Sequence, residues 1–418
     1  MKLRLTPVLV LGLLVSSALP AQTAKTDHWV ATWGTAQLLV RPQPAAPPTP
    51  TAPPKQPPAG ARGFANRTVR MVVRASIGGQ RLRVKLSNAF GSGQVVIGAA
   101  HIALRSKDSE TVAGSDRTLT FDGKPGCRLG PGVVLLSDPV DLKVAPLASL
   151  AVSLFFPGET GPPTTHSTGL HTTYISQEGD FTAQPAIADS TTTQSYYWLA
   201  GVDVLAPAGA ALLVTFGDSI TDGTASTPNA DSNWPSLLAA RLAGNKKTAL
   251  IGVANMGIGG NRVLYDGTGA SALARLDRDV LSQAGVKWMM LLEGINDIGR
   301  VGTGTPEAPT AEELIAAYRQ IIERAHTHGI KVIGCTLTPY EGAGYSRGPG
   351  EAVREEVNKF IRGGGAFDAF VDFEAATRDP ANPNRFRADF DPGDHLHPND
   401  KGYQAMADAV DLAIFSRK

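Results

Sequence analysis

The hydrophobic pattern of this 418-residue chain changes near residue 210, and the second half carries the pattern that most restricts the fold. There, short apolar runs alternate with stretches of helical period, which is typical of a parallel sheet covered by helices on both faces. The apolar runs predict strands over residues 211–216, 249–253, 286–292, 330–337 and 369–373. The periodic stretches predict helices over residues 234–243, 271–284, 311–328, 350–361 and 401–415. We therefore predict a three-layer α/β/α domain over residues 211–418, with its ligand site at the carboxyl ends of the strands.

The first half has no helical period and consists of short strand-like segments separated by turn residues. Between the segments 68–76 and 80–87, the pair Gly78-Gly79 predicts a hairpin turn. Further segments of this kind lie at residues 95–104, 118–121, 133–136 and 150–156. We predict an antiparallel β-sandwich of jelly-roll type over residues 25–204, followed by a linker over residues 205–210.

Two segments near the start have compositions that do not build a folded core. Residues 1–21 combine two basic residues with an apolar run and a small-residue tail, which predicts a signal peptide cleaved near Ala21. The apolar run is too short to span a membrane, so we expect a secreted or periplasmic protein without stable membrane insertion. Residues 41–60 contain nine prolines and predict an extended insertion within the first domain.

Charge and cysteine content exclude several classes of protein. The net charge of +1 gives no reason to expect a nucleic acid or an anionic membrane as a partner. The two cysteines, Cys127 and Cys335, are too few for a disulfide framework. Cys335 lies in an apolar run and is predicted to be a buried small residue, because a reactive thiol needs exposure and a positive environment.

A chemical motif begins where the first predicted strand of the second domain ends. Ser219 lies inside a Gly-Asp-Ser turn directly after the run 211–216. A strand ending there carries the serine to the edge of the sheet, and a following helix directs free backbone N–H groups toward a developing anion. Gly-Asp-Ser also occurs in ordinary turns, so the tripeptide alone is weak. Three further segments follow strand ends in fixed order, at residues 255–262, 293–297 and 391–399.

These four segments together resemble the SGNH or GDSL hydrolase family, whose name refers to its serine, glycine, asparagine and histidine blocks. The resemblance covers residues 211–418. It implies that Ser219 is the nucleophile of a catalytic triad with Asp394 and His397. It also implies an oxyanion hole formed by Ser219, Gly260 and Asn296. The loop contains Gly257 and Gly259 as well, and register favours Gly260.

The chemistry requires these residue types independently of the family. A serine hydroxyl is a poor nucleophile until a base takes its proton, and His397 can act as that base if Asp394 fixes its tautomer. Residues at i and i+3 share one face when the segment curls into a turn, which suits the Asp-x-x-His spacing. The tetrahedral intermediate carries a negative oxygen and needs preset donors, each typically worth about 2.7–4 kcal/mol of barrier. No metal or organic cofactor is needed, and none is predicted.

Several neighbouring residues have simpler interpretations that stay open here. His395 and His397 with Asp394 could hold a metal ion, although no further ligand cluster with matching spacing occurs. His326 and His328 point to different faces of a predicted helix and favour a surface role. Two acidic residues could be catalytic, but capping a turn or helix is the favoured role for both. These residues are Asp222 and Asp297.

In its two-domain arrangement the chain resembles SGNH carbohydrate esterases, which implies a secreted serine esterase acting on small acyl esters, above all acetyl esters of polysaccharides. Alternatives within the same chemistry are a lysophospholipase or arylesterase and an O-acyltransferase that uses the same serine. A non-enzymatic alternative is a glycan-binding module on a degenerate hydrolase scaffold, against which the intact serine, aspartate and histidine argue. Candidates to line the substrate pocket are Trp234, Arg262, Tyr265 and Tyr340, and a packing role is equally open for each of them.

Overall fold

The computed structural model of the protein describes residues 28–39, 59–363 and 365–416. The predicted signal peptide and residues 41–58 of the predicted proline-rich insertion lie outside these ranges. Within them, no helix has the length and apolar character needed to span a membrane.

The first half of the described chain is built from short strands. They are β1 (Trp29–Gly34), β2 (Arg67–Arg74), β3 (Gly79–Ser87), β4 (Val95–Ile97), β5 (Ala99–Leu104), β6 (Arg117–Thr118), β7 (Cys127–Leu129), β8 (Val134–Leu136), β9 (Val140–Val144), β10 (Ser149–Phe156), β11 (Thr165–His166), β12 (Thr173–Glu178), β13 (Thr191–Thr193), β14 (Tyr196–Tyr197) and β15 (Leu199–Leu205).

Two antiparallel sheets dominate this half, as the sandwich prediction expects. One sheet has the order β1-β15-β3-β8, with β9 also paired to β3, and the other has the order β13-β12-β2-β10-β5-β6. Small two-stranded ladders join β11 to β14 and β4 to β7. Buried Val, Leu, Met and Phe side chains of β2, β3, β10 and β15 belong to one apolar cluster.

The predicted hairpin at Gly78-Gly79 is wrong. The strand before it, β2, pairs with β10 and β12, whereas the strand after it, β3, pairs with β15, β8 and β9. The glycines therefore lead the chain from one sheet to the other. The crossing is crowded: a Cβ at Gly78 would lie 2.5 Å from the carbonyl oxygen of Val144. A turn signal gives the position of a bend but not the sheet in which the chain continues.

The second half alternates strands and helices. Its strands are β16 (Ala211–Gly217), β17 (Ile251–Gly257), β18 (Val286–Leu292), β19 (Lys331–Cys335) and β20 (Ala369–Val371). Its helices are α1 (Ser219–Asp222), α2 (Trp234–Ala243), α3 (Ala272–Leu276), α4 (Ile295–Ile298), α5 (Ala311–Thr327), α6 (Gly348–Gly363), α7 (Phe373–Thr377) and α8 (Asp400–Asp408). A π-helical turn spans Asp277–Leu281, and a 3-10 helix spans Leu412–Ser416.

The five strands form one parallel sheet in the order β17-β16-β18-β19-β20, which confirms the predicted α/β architecture. Every residue of β16 is buried, as expected for a central strand covered on both faces. Because all strands run in the same direction, the segments after β16, β17 and β18 meet at one edge of the sheet. The serine, glycine and asparagine segments of the sequence motif are these three segments.

Some predicted boundaries differ from the structure for identifiable reasons. The predicted helix 271–284 is divided, because its second part is a π-helical turn. The predicted helix 401–415 ends at Asp408, where the Arg241 guanidinium donates to the carbonyl groups of Ala407 and Val410. A cation bound to the last free carbonyls is a common end of a helix.

The two halves share one continuous hydrophobic core. Strand β1 lies against β17, and the N–H of Ala31 donates to the carbonyl of Ala284 at 3.0 Å. The hydroxyl oxygen of Ser76 accepts a hydrogen bond from the N–H of Val253 at 2.8 Å. The N-terminal sheets are thus joined to the α/β half by apolar packing and by hydrogen bonds.

Candidate active site

Ser219 lies at the point where the central strand becomes a helix. Strand β16 ends at Gly217, Asp218 caps α1 by accepting the N–H of Ile220 at 2.9 Å, and Ser219 is the first helical residue. Glycine is required at position 217, because a Cβ there would lie 2.2 Å from the carbonyl oxygen of Leu292. The tight turn therefore follows from the sequence, and it leaves the serine hydroxyl at the sheet edge.

The structure brings Ser219 together with His397 and Asp394, although the serine and the histidine are 178 positions apart. The Nε2 atom of His397 lies 2.8 Å from the Ser219 hydroxyl oxygen. Its Nδ1 atom lies 2.6 Å from a carboxylate oxygen of Asp394. Because a carboxylate only accepts, Nδ1 carries the proton and the lone pair of Nε2 faces the serine. The hydroxyl can thus pass its proton to the imidazole.

Asp394 is held in its orientation by the loop that contains it. Its other carboxylate oxygen accepts the N–H groups of Leu396 and His397, both at 3.0 Å. Burial alone would raise the pKa of Asp394, but these hydrogen bonds and the imidazole hold it below its usual value. The carboxylate is therefore ionised at neutral pH and available to stabilise an imidazolium.

The backbone N–H group of Ser219 and that of Gly260 are both available to a ligand. Among the described residues, no hydrogen bond occupies the N–H of Ser219 or that of Gly260. The neighbouring glycines differ: Gly257 donates to Asn255 at 2.9 Å and Gly259 donates to Asp222 at 3.2 Å. Gly260 is thus the loop glycine with an N–H group available for a ligand. Its φ of +73° is a conformation that favours glycine.

Asn296 lies in α4, immediately after β18, and borders the same loop. Its side-chain amide donates to the carbonyl of Asn261 at 2.9 Å, and its oxygen accepts from the Tyr345 hydroxyl at 3.3 Å. These two contacts fix the orientation of the amide and occupy only one of its two N–H bonds. The remaining N–H bond can serve a ligand.

The two acidic residues for which capping was the favoured role have structural partners. Asp297 accepts the N–H groups of Val263 and Leu264 at 2.8 and 3.2 Å, and so holds the far side of the glycine loop. Burial raises the pKa of Asp297 to about 6 despite these hydrogen bonds. Asp222 bonds to His166 of the N-terminal half and to Gly259.

Arg275 connects the segments beneath the site and was missed by sequence reasoning. Its guanidinium donates to the carbonyls of Gly217 and Met256 at 2.9 and 2.7 Å and to the side chain of Asn261 at 2.8 Å. The ends of β16 and β17 are thereby tied to the glycine loop. Two of its partners are backbone carbonyls, which leave no trace in sequence. Tyr345 was missed because its loop follows the asparagine segment by about fifty residues.

Two of the four residues proposed to line a pocket are in the core instead. Trp234 and Tyr340 are fully buried, and the indole of Trp234 packs against Phe373 with ring centroids 5.2 Å apart. Both were wrong as pocket residues, because an aromatic side chain near a motif in sequence need not face the site. Arg262 is also buried, between Glu307 and the carbonyl of Asp266.

Tyr265, unlike these three residues, is exposed, with a relative accessible surface of 39%. Its ring lies under the Arg262 guanidinium, 5.3 Å from the ring centroid, on the loop that follows Gly260. An exposed aromatic face held by a fixed cation is a rigid surface on which a ligand can stack.

The remaining histidines do not form a metal site in the described residues. No group of three or more His, Cys, Asp or Glu side chains suited to a metal is present there. His395 pairs with Asp391, and His326 pairs with Asp368 at the surface at 2.8 Å. Cys335 is buried in β19, and burial raises the pKa of its thiol, so it is not a reactive cysteine.

Among solved structures, similar chains include a putative lipolytic protein of the G-D-S-L family from Desulfitobacterium hafniense, with 20% identity and a TM-score of 0.37. That alignment covers 47% of this chain and 96% of the other. An acetylxylan esterase from Geobacillus stearothermophilus has 23% identity and a TM-score of 0.38, over 50% of this chain and 95% of the other. No curated protein matches.

A family model described as GDSL-like Lipase/Acylhydrolase matches residues 215–405. This range contains Ser219, Gly260, Asn296 and His397. It also contains the ends of β16, β17 and β18, where the serine, glycine and asparagine segments lie, whereas the histidine segment precedes α8. Residues 215–405 therefore match the model of the GDSL-like lipase/acylhydrolase family.

Proposed function

We propose that this protein is a secreted serine esterase that hydrolyses short acyl esters, with acetyl esters of carbohydrates as the preferred class. The observation that carries the proposal is the continuous array from the Ser219 hydroxyl through His397 to Asp394, with contacts of 2.8 and 2.6 Å. Such an array can activate an alcohol as a nucleophile.

In the proposed reaction the Ser219 oxygen attacks the ester carbonyl while His397 takes its proton. The carbonyl oxygen becomes negative and is bound by the N–H groups of Ser219 and Gly260 and by the free N–H bond of Asn296. His397 then gives its proton to the leaving alcohol, and an acyl-serine remains. Water, deprotonated by His397, attacks this acyl-serine and releases the acid, and the serine regains its proton.

The exposure of the surroundings supports a polymeric, hydrophilic alcohol. Gly260 is exposed, and the side chains of Asp394 and His395 are each about half exposed. An exposed, polar rim can accept an acyl group that projects from a larger molecule, whereas a long acyl chain needs an extended apolar pocket. Tyr265 adds a surface on which a sugar ring can stack.

The deciding experiment compares wild type, Ser219→Ala and Ser282→Ala in the hydrolysis of p-nitrophenyl acetate. Ser282 is a matched control, because its hydroxyl only donates to the carbonyl of Arg278 on the surface. We expect Ser219→Ala to lower kcat by about 10⁴-fold or more and Ser282→Ala to leave it unchanged. Equal rates for all three proteins would contradict the esterase proposal and favour a glycan-binding scaffold.

Substrate class and reaction type need separate measurements. Acetate release from acetylated xylan, mannan, pectin and chito-oligomers is compared with hydrolysis of short- and long-chain nitrophenyl esters. Preference for long chains would instead indicate a lipase-like enzyme. Adding a sugar acceptor and measuring acetylated product against free acetate separates acyl transfer from hydrolysis. N-terminal sequencing of the exported protein tests the proposed signal peptide.

A further inference from the structure

A histidine of the N-terminal half makes a buried contact beside the serine. His166, the last residue of β11, places its Nε2 atom 2.9 Å from a carboxylate oxygen of Asp222, the last residue of α1. The side chains of His166 and Asp222 are only 3% and 5% exposed. Asp222 lies three residues after Ser219, so the contact joins the two halves directly behind the nucleophile.

Both nitrogens of the His166 ring face acceptors. Its Nδ1 atom lies 2.8 Å from the carbonyl oxygen of Ala36, and a carbonyl can only accept. Its Nε2 atom faces a carboxylate. The ring satisfies both partners when it carries two protons, as an imidazolium. Burial would lower the pKa of His166, but Asp222 and nearby carbonyl groups together raise it above its ordinary value.

The second carboxylate oxygen of Asp222 continues this connection to the glycine loop. It accepts the N–H of Gly259 at 3.2 Å, and the next residue is Gly260, whose N–H is free. The unbroken series of contacts therefore runs from Ala36 through His166 and Asp222 to Gly259. We call this series the His166 relay.

The loop needs such a restraint, because consecutive glycines have unusual backbone freedom. Residues on its far side are held by Asp297 and Arg275, within the α/β half itself. On the near side, Asp222 holds Gly259. A further contact from the N-terminal half, from the N–H of Leu39 to the carbonyl of Thr268 at 3.1 Å, lies close to Gly260.

We propose that His166 is a positioning residue that acts through Asp222 to fix the backbone of Gly259 and Gly260, so that the oxyanion hole is preset by the N-terminal half. This inference rests on the proposed function. It assigns a catalytic contribution to the sandwich: without the His166 relay, the Gly260 N–H has to be oriented during each turnover. Preset donors need no reorganisation when charge develops, which is the source of their effect.

The test uses two variants that break the His166 relay from opposite ends. His166→Asn keeps an amide donor at the position of Nδ1, toward Ala36, and removes the donor to Asp222. Asp222→Ala removes the acceptor of both His166 and Gly259. For p-nitrophenyl acetate we expect each variant to lower kcat by about 10- to 100-fold and to leave KM within about threefold, per mole of folded protein.

Two conservative variants are expected to restore activity. His166→Gln places an amide donor at the position of Nε2. Asp222→Asn can accept from Gly259 and donate to a neutral His166, so the hydrogen bonds persist without charge. Both should stay within about threefold of the wild-type kcat. The matched control is His101→Asn, which removes a histidine contact of 2.8 Å to Asp116 within the N-terminal sheets.

The outcomes are distinct. A wild-type kcat in His166→Asn would overturn the positioning role, and if that variant does not fold, a wild-type kcat in Asp222→Ala would do the same. Equal losses in His166→Asn and His166→Gln would also overturn it, because packing rather than the hydrogen bond would then matter. Full activity of Ser219→Ala would refute the proposed function itself.

Discussion

The contact of 2.6 Å between His397 Nδ1 and Asp394 has a counterpart two residues earlier, where His395 Nδ1 meets Asp391. The two pairs have the same chemistry and share one loop. His397 reaches the Ser219 hydroxyl, whereas His395 lies beside Gly342. The loop thus contains its own control for the role of an aspartate–histidine pair.

Replacing Asp394 by Asn should lower kcat by about 10⁴-fold, because an amide lets the imidazole adopt the wrong tautomer. The amide can still accept the N–H groups that hold the loop, so folding should be preserved. Asp391→Asn changes the other pair in the same way and should leave kcat within about threefold of wild type. Steady-state kinetics on p-nitrophenyl acetate measures both variants. A similar loss in the two would assign the effect to the loop rather than to the triad.

Asn296→Ala should lower kcat by about 10²- to 10³-fold with little change in KM, because its amide is proposed to bind an oxygen that is negative only in the transition state. Tyr345→Phe removes the hydroxyl that orients the Asn296 oxygen and keeps the donor itself. Its loss should be smaller, about tenfold or less. A rise in KM at constant kcat for Asn296→Ala would show that the amide binds the ground state and would contradict the assignment.

Tyr265→Ala should weaken the use of polysaccharide substrates selectively. Loss of aromatic stacking costs about 1 kcal/mol, which is roughly a fivefold rise in KM for acetylated xylan. The KM for p-nitrophenyl acetate should change little. Phe370, which is 45% exposed, is a control aromatic residue on β20, and Phe370→Ala should affect neither substrate. Equal changes for both substrates in Tyr265→Ala would argue against a sugar platform.

Stability should depend on pH through Asp218. Burial raises the pKa of Asp218 to about 7 from an ordinary value of 3.8, an effect partly offset by the N–H of Ile220. The folded state holds this proton more tightly than the unfolded state does. The free energy of unfolding should therefore fall as pH rises from about 4 to about 7 and level off above that.

Asp218→Asn keeps an acceptor for Ile220 and removes the charge, so its free energy of unfolding should fall less over the same pH range. Urea unfolding of wild type and variant at several pH values measures the difference. Glu355→Gln, at an exposed position of α6, is the control and should follow wild type. Identical slopes for wild type and Asp218→Asn would show that Asp218 is not among the buried groups that titrate in this range.

The sequence predicted the parallel sheet and the meeting of its motif segments, because apolar strands are easy to locate and their carboxyl ends share one edge. Side-chain direction was harder to predict. Trp234 begins a correctly predicted helix, but the face that it presents is turned into the core. The contacts of Arg275 and His166 were not foreseen, since they depend on backbone carbonyls and on pairing between distant halves.

Because the two halves share one hydrophobic core, they should unfold together. The apolar residues of β17 and the turn at Gly285 are covered by β1, whose Val30 leaves no space for a side chain at that glycine. A fragment beginning at residue 211 would present this surface to water and tend to aggregate. Heating the intact protein should then melt sandwich and α/β layers together, as one cooperative event.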